Sequence, residues 1–280
     1  MVITRLMGGI GNQMFQYAAA RRLALTRRVP LKLDVSWFGS VPARVYALDA
    51  LSIDVPFATP AELAEIREAS RLRRVLRLGY RWSWMRERFL SPIDRRVLHA
   101  SAWTYLDGYW QSEGYFADVA DSIRRDFTIN WEPDARSLEL LKHITATESV
   151  SVHVRRGDYV GSPERSVCTP GYYASCVARL AERVAKPHLF LFSDDPGWVA
   201  DNLRFDYPTT VVSQSPARSA CGDLDMMSKC RHHILANSSF SWWGAWLNPR
   251  SDKVVLAPNR WMNDARVDDR DVVPEGWIRV

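Results

Sequence analysis

Two adjacent arginines, Arg155 and Arg156, follow the apolar run Val150–Val154 and precede a glycine and Asp158. The run alternates as a buried β-strand does, and charged groups at the end of such a strand are costly unless they are paired. Guanidinium groups bind phosphate oxygens bidentately and stay charged at any working pH. The pair therefore indicates a diphosphate site, and the alternative is a structural ion pair with Asp158 or Asp194.

A second phosphate-binding signal lies in the segment NSSFS, which contains Asn237, Ser238, Ser239 and Ser241 and opens a predicted helix. Free N–H groups and hydroxyls at a helix N-terminus favour an anion, although a serine there also serves as an ordinary helix cap. Two such elements in the same half of the chain make the ligand interpretation stronger than either element does separately.

Polar residues also follow the first predicted strand, in the segment GGIGNQ with Gly11, Asn12 and Gln13. A glycine-rich turn lets the backbone approach a ligand closely. The segment does not have the GxGxxG spacing of a dinucleotide-binding turn. No acidic residue stands at a convincing ribose position, so the pattern argues against an NAD-dependent oxidoreductase.

The elements that must position these residues alternate between strand and helix. Residues 2–6 and 29–35 are predicted strands on either side of a helix, and from about residue 146 a strand–helix pattern repeats to residue 258. This alternation predicts an α/β fold with parallel sheets, whose ligands lie at the carboxyl ends of the strands. We place the domain boundary at 145/146, giving an N-terminal domain of 1–145 and a C-terminal domain of 146–280.

In the second half, two histidines and an aspartate-rich segment also need interpretation beside a histidine near the arginines. His153 lies on the predicted strand beside Arg155, as a core histidine or as part of the ligand site. His232 and His233 are predicted to end a helix, where positive charge suits the helix dipole. The segment DLD at 223–225 resembles a DxD metal motif, but Asp223 stands at a predicted helix start, where aspartate is a good cap, so no metal is expected.

Composition limits the class of protein. The chain has 280 residues, 47% hydrophobic and 25% charged, with a formal net charge of +5. This is the composition of a globular protein of about two domains, and so small a charge excess suits an acidic ligand without indicating nucleic acid. The four cysteines lack the spacing of a metal site and are expected to be reduced thiols. The sequence has neither a signal-peptide pattern nor an apolar run of about 18 residues, so a cytoplasmic location is expected.

Arginines and tryptophans crowd together in residues 71–96, outside these motifs. Basic residues meet anionic lipid at membrane surfaces, so one hypothesis is peripheral docking at the inner face of the membrane, near lipid-linked glycans. The alternative is a solvated helix with some buried aromatic side chains.

Taken together, the segments GGIGNQMFQYAAARRLA, HVRRGDYV, FLFSDD and DLDMMSKCRHHILANSSFSWWGAWLN resemble the α-1,2-fucosyltransferase family in order and spacing. HVRRGDY is also found in other fucosyltransferases, and its combination with NSSFSWWGAWLN is more specific. The resemblance spans nearly the whole chain. It implies a GT-B-like fold of two Rossmann-like domains facing a cleft, GDP-fucose as the donor, no metal or other cofactor, and inversion at the transferred carbon.

The resemblance also implies roles for individual residues. Arg155 is similar to the arginine that holds the β-phosphate of GDP, and Asp158 orients the arginines or serves as the catalytic base. Residues implied in donor binding are His153, Arg156, Asp194, Asp223, Asn237, Ser238 and Ser239. Residues implied on the sugar and acceptor side are Gly11, Asn12 and Gln13, together with loops within 36–60 and 80–115.

The resulting prediction is a galactoside 2-α-L-fucosyltransferase that moves L-fucose to the 2-hydroxyl of a terminal galactose. Its expected partners are GDP-fucose and a galactose-terminated oligosaccharide or lipid-linked glycan. Two alternatives remain open: a transferase that uses a different nucleotide sugar, and a non-catalytic protein that binds a glycan or nucleotide without turnover.

Overall fold

The computed structural model describes residues 1–76, 82–88, 92–212 and 220–280, and for 69–76 only the backbone. It divides into two compact units. The first comprises Met1–Thr128 and Arg270–Val272, and the second comprises Ile129–Asp269 and Val273–Val280.

The first unit is built on a parallel four-stranded sheet in the order β2-β1-β4-β3. Its strands are β1 (Val2–Arg5), β2 (Leu31–Asp34), β3 (Ser83–Arg86) and β4 (Thr104–Asp107). Its helices are α1 (Ile10–Arg27), α2 (Pro60–Leu76), α3 (Arg95–Leu98) and α4 (Ala120–Asp126).

A threonine followed by a proline predicts a helix start at Thr59–Pro60, and α2 begins there because Thr59 and Glu62 cap it reciprocally. Glu62 N–H donates to Thr59 Oγ1 at 3.2 Å, and Thr59 N–H donates to Glu62 Oε2 at 2.8 Å. This is a capping box, and Pro60 occupies the first helical position, where no N–H is needed. Helix α1 begins earlier than predicted, at Ile10, so that Asn12 and Gln13 lie on its first turn rather than on the preceding loop.

The second unit contains a parallel six-stranded sheet in the order β10-β9-β8-β5-β6-β7. Its strands are β5 (Ser149–Val154), β6 (His188–Ser193), β7 (Thr209–Val212), β8 (His232–Ile234), β9 (Val255–Ala257) and β10 (Ile278–Arg279). Its helices are α5 (Ala135–Ala146), α6 (Pro170–Ala181), α7 (Pro196–Asn202), α8 (Ala220–Lys229) and α9 (Ser239–Leu247). The α/β class with parallel sheets is therefore confirmed.

The prediction that His232 and His233 end a helix is wrong, because α8 stops at Lys229 and both histidines lie on β8. Strand β8 pairs with β5 in the interior of the sheet. His233 is fully buried, and its two ring nitrogens contact Ser151 Oγ and Asn248 Nδ2, each at 2.8 Å. Burial lowers its pKa well below the ordinary value, so it is a neutral core residue rather than a charged helix end.

The structural division falls after Thr128, before the predicted boundary at 145/146. The reason is helix α5, which the sequence analysis did not identify. Its Ile144 is fully buried in one cluster with Phe190, Phe192 and Met226 of the second unit. An amphipathic helix belongs to the core that covers its apolar face, so α5 is part of the second unit.

Within the basic stretch 71–96, residues 77–81 and 89–91 lie outside the described residues. The described aromatic side chains pack inward: Trp82 is 4% exposed and meets Trp103 edge-to-face at 5.2 Å, and Trp84 meets Tyr105 at 4.9 Å. The membrane contact stays a prediction. Over the described residues, no helix is both long and apolar enough to cross a bilayer.

Candidate active site

In the second unit, Arg155 leaves the carboxyl end of β5 and is held between two carboxylates. Its Nη2 donates to Asp158 Oδ1 at 2.5 Å, and its Nη1 lies 2.7 Å from Asp194 Oδ2. Its side chain is 27% exposed. Both ion pairs considered from the sequence are thus present. A guanidinium has five N–H donors, so these contacts fix its orientation and still leave donors for an anion.

Arg156 is positioned differently from its neighbour. Its backbone N–H donates to Asp194 Oδ1 at 2.8 Å, and its guanidinium lies over the ring of Trp198, 4.0 Å from the centroid. The Nε atom is buried without a hydrogen-bond partner among the described residues, and it lies 3.8 Å from Asp195 Oδ2. A guanidinium at this distance over an aromatic face makes a favourable cation–π contact.

Gly157 is the position that permits this arrangement. A Cβ placed there would come within 2.6 Å of Asp194 Oδ2, closer than real Cβ contacts. Asp194 therefore reaches both the backbone N–H of Arg156 and the guanidinium of Arg155 only because residue 157 has no side chain. The segment formed by Arg155, Arg156 and Gly157 thus packs against Asp194, which follows β6.

His153 lies on β5 and is buried, with its ring tilted against Phe240 at 5.7 Å between centroids. Burial first, and the nearby Arg155 charge second, lower its pKa to about 3. The imidazole is therefore neutral at physiological pH. Its Nδ1 is buried without a hydrogen-bond partner within the described part of the chain.

The loop before α9 joins the arginine segment through Asn237. Tyr159 Oη donates to the Asn237 carbonyl at 2.9 Å, and Asn237 Nδ2 donates to the carbonyls of Arg165 and Trp261, each at 3.0 Å. Asn237 is 3% exposed, so its side chain holds two neighbouring loops in place. The predicted donor-binding residue is therefore brought to the arginine segment, with its amide bonded to main chain.

Ser238 is the N-cap of α9, and its Oγ accepts the Phe240 N–H at 3.3 Å. The ordinary capping role considered from the sequence is therefore present. Ser239 is the first residue of the helix and is half-buried. The N-terminus of α9 thus follows β8 at the same carboxyl edge of the sheet as Arg155.

Asp223 is buried in the first turn of α8, where an aspartate suits the helix dipole. The second aspartate of the DLD segment, Asp225, accepts the Trp131 Nε1–H at 3.2 Å and lies 3.5 Å from Lys229 Nζ. The segment is therefore part of helix packing. Among the described residues, no group of three or more His, Cys, Asp or Glu side chains is arranged to hold a metal ion.

In the first unit, the turn after β1 is shaped by Gly8, whose φ is +78°. A Cβ at Gly8 would come within 2.5 Å of Asn12 Nδ2, so this glycine provides both the left-handed backbone and the close approach. Asn12 is half-buried, and its Oδ1 accepts a hydrogen bond from Gln111 Nε2 at 2.7 Å. Gly11, next to Asn12, is buried in the first turn of α1.

Gln13, predicted to face the sugar, is 0% exposed. Its Nε2 donates to the carbonyls of Gly8 and Val45 at 3.0 and 2.9 Å, and its Oε1 accepts the Ala47 N–H at 2.9 Å. Both ends of the amide are therefore bonded to main chain. The side chain fastens the loop at 45–47 to the turn after β1 and supports the neighbouring Asn12.

The structure adds a pocket that no sequence motif indicated. It is lined by Glu87, Tyr109, Gln111, Ser112, Tyr115, Asp271 and Val272. Glu87 follows β3 and Tyr109 follows β4, so the pocket lies at the carboxyl edge of the first sheet. The one available sequence signal was that all of these residues except Asp271 and Val272 lie within the 80–115 segment assigned to acceptor loops.

The two edges differ in the chemistry they offer. The edge of the second sheet presents guanidinium groups fixed by carboxylates beside a helix N-terminus, an arrangement that binds phosphate. The edge of the first sheet presents carboxylate, amide and hydroxyl groups, which bind the hydroxyls of a sugar. Together, these are the elements of an enzyme that transfers a group from a nucleotide to a hydroxyl.

The comparisons with known proteins agree with this class. The family model described as glycosyl transferase family 11 matches residues 66–280, and the chain belongs to this family. It is 34% identical to the alpha-1,2-colitosyltransferase of Escherichia coli, with 100% of this chain and 99% of that protein aligned. It is 25% identical to galactoside alpha-(1,2)-fucosyltransferase 2 of Oryctolagus cuniculus, over 90% of this chain and 68% of that protein.

The O-antigen biosynthesis glycosyltransferase WbnK of Escherichia coli is 30% identical over 98% of this chain and 99% of that protein. Among solved structures, a mutant of Arabidopsis thaliana FUT1 in complex with GDP aligns with a TM-score of 0.55 at 11% identity, over 95% of this chain and 71% of that one. The predicted membership of the α-1,2-fucosyltransferase family and the GT-B-like α/β fold class are thus confirmed.

Proposed function

We propose that the protein transfers L-fucose from GDP-fucose to the 2-hydroxyl of a terminal galactose, with inversion at the transferred carbon. The observation that supports this most directly is the guanidinium of Arg155, fixed between Asp158 and Asp194 at the end of β5. It stands in a family 11 chain whose relatives include galactoside α-1,2-fucosyltransferases.

The chemistry requires such a group. When the bond between fucose and phosphate breaks, negative charge develops on the β-phosphate oxygen. Preorganised cations and N–H donors stabilise that charge, each worth several kcal/mol in a site that excludes water. We propose that Arg155 and the N-terminus of α9 provide this stabilisation in place of a metal ion, and that Arg156, over the ring of Trp198, lines the same nucleotide site.

A second donor is supported by one observation. The aligned colitosyltransferase matches this chain over its full length at 34% identity. Colitose is fucose without the 3-hydroxyl, so the two donors differ by one hydrogen-bonding group. A site that bonds the 3-hydroxyl would discriminate strongly against the deoxy sugar, whereas a site that does not would accept both.

We propose that the acceptor is a galactose-terminated oligosaccharide or lipid-linked glycan, reached at the cytoplasmic face of the membrane. The WbnK relative, named for O-antigen biosynthesis, supports a glycan of this kind.

Membrane contact through 71–96 is tested by sedimentation with anionic liposomes. A variant with several arginines of that stretch neutralised should bind less, and unchanged binding would remove the idea.

The experiment that tests the transfer is release of GDP from GDP-fucose with lactose as acceptor, with and without EDTA, and in parallel with GDP-colitose. We expect fucosyl-lactose to form at an unchanged rate in EDTA. Faster turnover of GDP-colitose than of GDP-fucose would identify colitose as the sugar that the enzyme transfers. Inhibition by EDTA that added Mg²⁺ or Mn²⁺ reverses would contradict the metal-free proposal, and binding of neither donor would contradict the proposed function.

A further inference from the structure

Glu87 is a carboxylate at the end of β3 that the sequence motifs do not include. Its Oε2 accepts the backbone N–H groups of Tyr109 and Trp110 at 2.6 and 2.9 Å. Gly108 allows this approach, because a Cβ there would lie 2.4 Å from Glu87 Cβ and 2.9 Å from Oε2. The carboxylate is therefore held in one orientation by the loop that follows β4.

That loop also carries backbone strain. Trp110 is fully buried with a φ of +55°, in the left-handed region that large side chains rarely adopt. Such backbone strain is characteristic of functional sites. The strained residue supplies one of the two N–H groups that hold Glu87.

Glu87 lies in a pocket with groups that bind sugar hydroxyls. Gln111 and Ser112 line the same pocket, and Gln111 Nε2 donates to Asn12 Oδ1 at 2.7 Å. The pocket is thus linked to the turn after β1, where the sequence analysis placed the sugar-facing residues. In the described part of the chain, the hydrogen bonds to Glu87 engage Oε2.

Asp158, the base suggested from the family resemblance, is already engaged. Its Oδ1 lies 2.5 Å from Arg155 Nη2, and its Oδ2 lies 3.3 Å from Arg165 Nη1. Taking a proton would break an ion pair that orients the phosphate-binding arginine. The structure therefore gives Asp158 a role in positioning Arg155, which leaves the role of catalytic base to another group.

We propose that Glu87 is the general base of the transfer and that its pocket receives the acceptor galactose. The inference rests on the proposed function and assigns a residue to the removal of the acceptor hydroxyl proton, which that function does not explain. The O–H bond of the acceptor 2-hydroxyl breaks, and its proton passes to the Glu87 carboxylate. The freed oxygen forms a bond to C1 of the donor sugar, and the C1–O bond to the β-phosphate breaks, releasing GDP with the electron pair.

The electrostatic surroundings suit this role. Burial raises the pKa of Glu87 to about 7 against the two backbone hydrogen bonds that lower it, with a further rise from the charge of Asp94. Among the described residues that line the pocket, the other titratable groups are Tyr109, Tyr115 and Asp271. A base that titrates near the working pH combines the correct protonation state with adequate proton affinity.

The decisive variant is Glu87→Gln, because a glutamine oxygen can still accept the N–H groups of Tyr109 and Trp110 but cannot act as a base. We expect kcat/KM with lactose to fall at least about 100-fold, with GDP-fucose affinity and melting temperature little changed. The wild-type kcat/KM should decline below about pH 7, and the remaining activity of the variant should lack that decline. Glu68→Gln, an exposed glutamate of the same unit, is the matched control.

A purely structural role would give a different result. Glu87→Gln would then keep turnover within a few-fold of wild type, or would keep the acid decline, and either outcome would overturn the proposal. If the variant does not fold, the wild-type profile decides: no ionisation near pH 7 in kcat/KM would equally overturn it. Failure of the proposed function shows separately, as absence of GDP-sugar binding by the wild-type protein.

Discussion

The carboxyl edges of the two sheets are built alike and chemically opposed. At the edge of the second sheet, the Arg155 guanidinium is fixed by Asp158 and Asp194, and that of Arg156 lies near Asp195 and over the Trp198 ring. At the edge of the first, Glu87 is fixed by backbone N–H groups in a pocket whose described lining contains carboxylates, an amide and hydroxyls. One architecture thus provides a cationic edge for a phosphate and a proton-accepting edge for a hydroxyl.

The difference teaches how each charge is made useful. A guanidinium is always charged, so the protein only needs to orient it, and carboxylates at hydrogen-bond distance do so. A glutamate must gain and lose a proton, so its burial must be balanced against its hydrogen bonds. The following predictions test whether the two edges can be disturbed independently.

The largest effect is expected for Arg155→Ala. Loss of the guanidinium removes the cation that faces the developing phosphate charge, so kcat/KM should fall by about 100- to 1000-fold. The control is Arg183→Ala, an exposed arginine paired with Glu182 at 3.2 Å. Steady-state kinetics with GDP-fucose and lactose measure both. Equal behaviour of the two variants would mean that the cationic edge does not bind the donor.

The next effect concerns the stability of the first edge. Gln13→Ala leaves the Gly8 and Val45 carbonyls and the Ala47 N–H without their partner, so the free energy of unfolding should drop by about 3 kcal/mol. Urea denaturation measures it. Asn202→Ala, an exposed amide bonded to one carbonyl, should cost well under half as much. A Gln13 variant as stable as wild type would show that the loop at 45–47 does not depend on this amide.

A smaller effect is expected for Gly157→Ala at the second edge. The added Cβ meets Asp194 Oδ2 at 2.6 Å and displaces the carboxylate that contacts the Arg155 guanidinium and the Arg156 backbone N–H. We expect about tenfold weaker GDP-fucose binding, since small displacements of positioning groups have large effects. Isothermal titration calorimetry measures it. Gly171→Ala is the control, because its Cβ would meet only Thr169 Oγ1 at an ordinary 3.7 Å.

The last prediction concerns the pH dependence of stability at the second edge. His153 stays neutral in the folded protein down to about pH 3, whereas the unfolded chain takes up a proton below about pH 6.5. The free energy of unfolding should therefore decrease as the pH is lowered from about 6.5 to about 3. This residue contributes up to about 1.4 kcal/mol per pH unit to that decrease. His153→Asn should reduce this slope relative to the wild type in denaturation measured from pH 4 to 6. An unchanged slope would mean that His153 titrates normally.

The sequence predicted those features that depend on local pattern. Strand periodicity located β5 and β6, and the Thr59–Pro60 signal located the start of α2. The segments that follow the strands were assigned to the site for the same reason, since a parallel sheet gathers them at one edge.

Features that depend on distant contacts were not predictable. The burial of Gln13 requires a loop more than 30 residues away, at 45–47. The local sequence pattern extends the helix α8 through His232 and His233, but pairing with β5 places both histidines on a strand. Glu87 lies in no motif, and its environment arises only when the loop after β4 folds over it. In each case tertiary packing overrides or completes a weak local signal.

The short segment Arg270–Val272 belongs to the first unit, although the chain on either side of it belongs to the second. Asp271 lines the Glu87 pocket, and its Oδ2 accepts the Ile93 N–H at 2.8 Å across 178 positions of sequence. During synthesis, at about 5–20 residues per second, Ile93 emerges roughly 10 to 40 s before its partner. The first unit is thus begun early and completed late, so its pocket forms only once the chain through Val272 has left the ribosome.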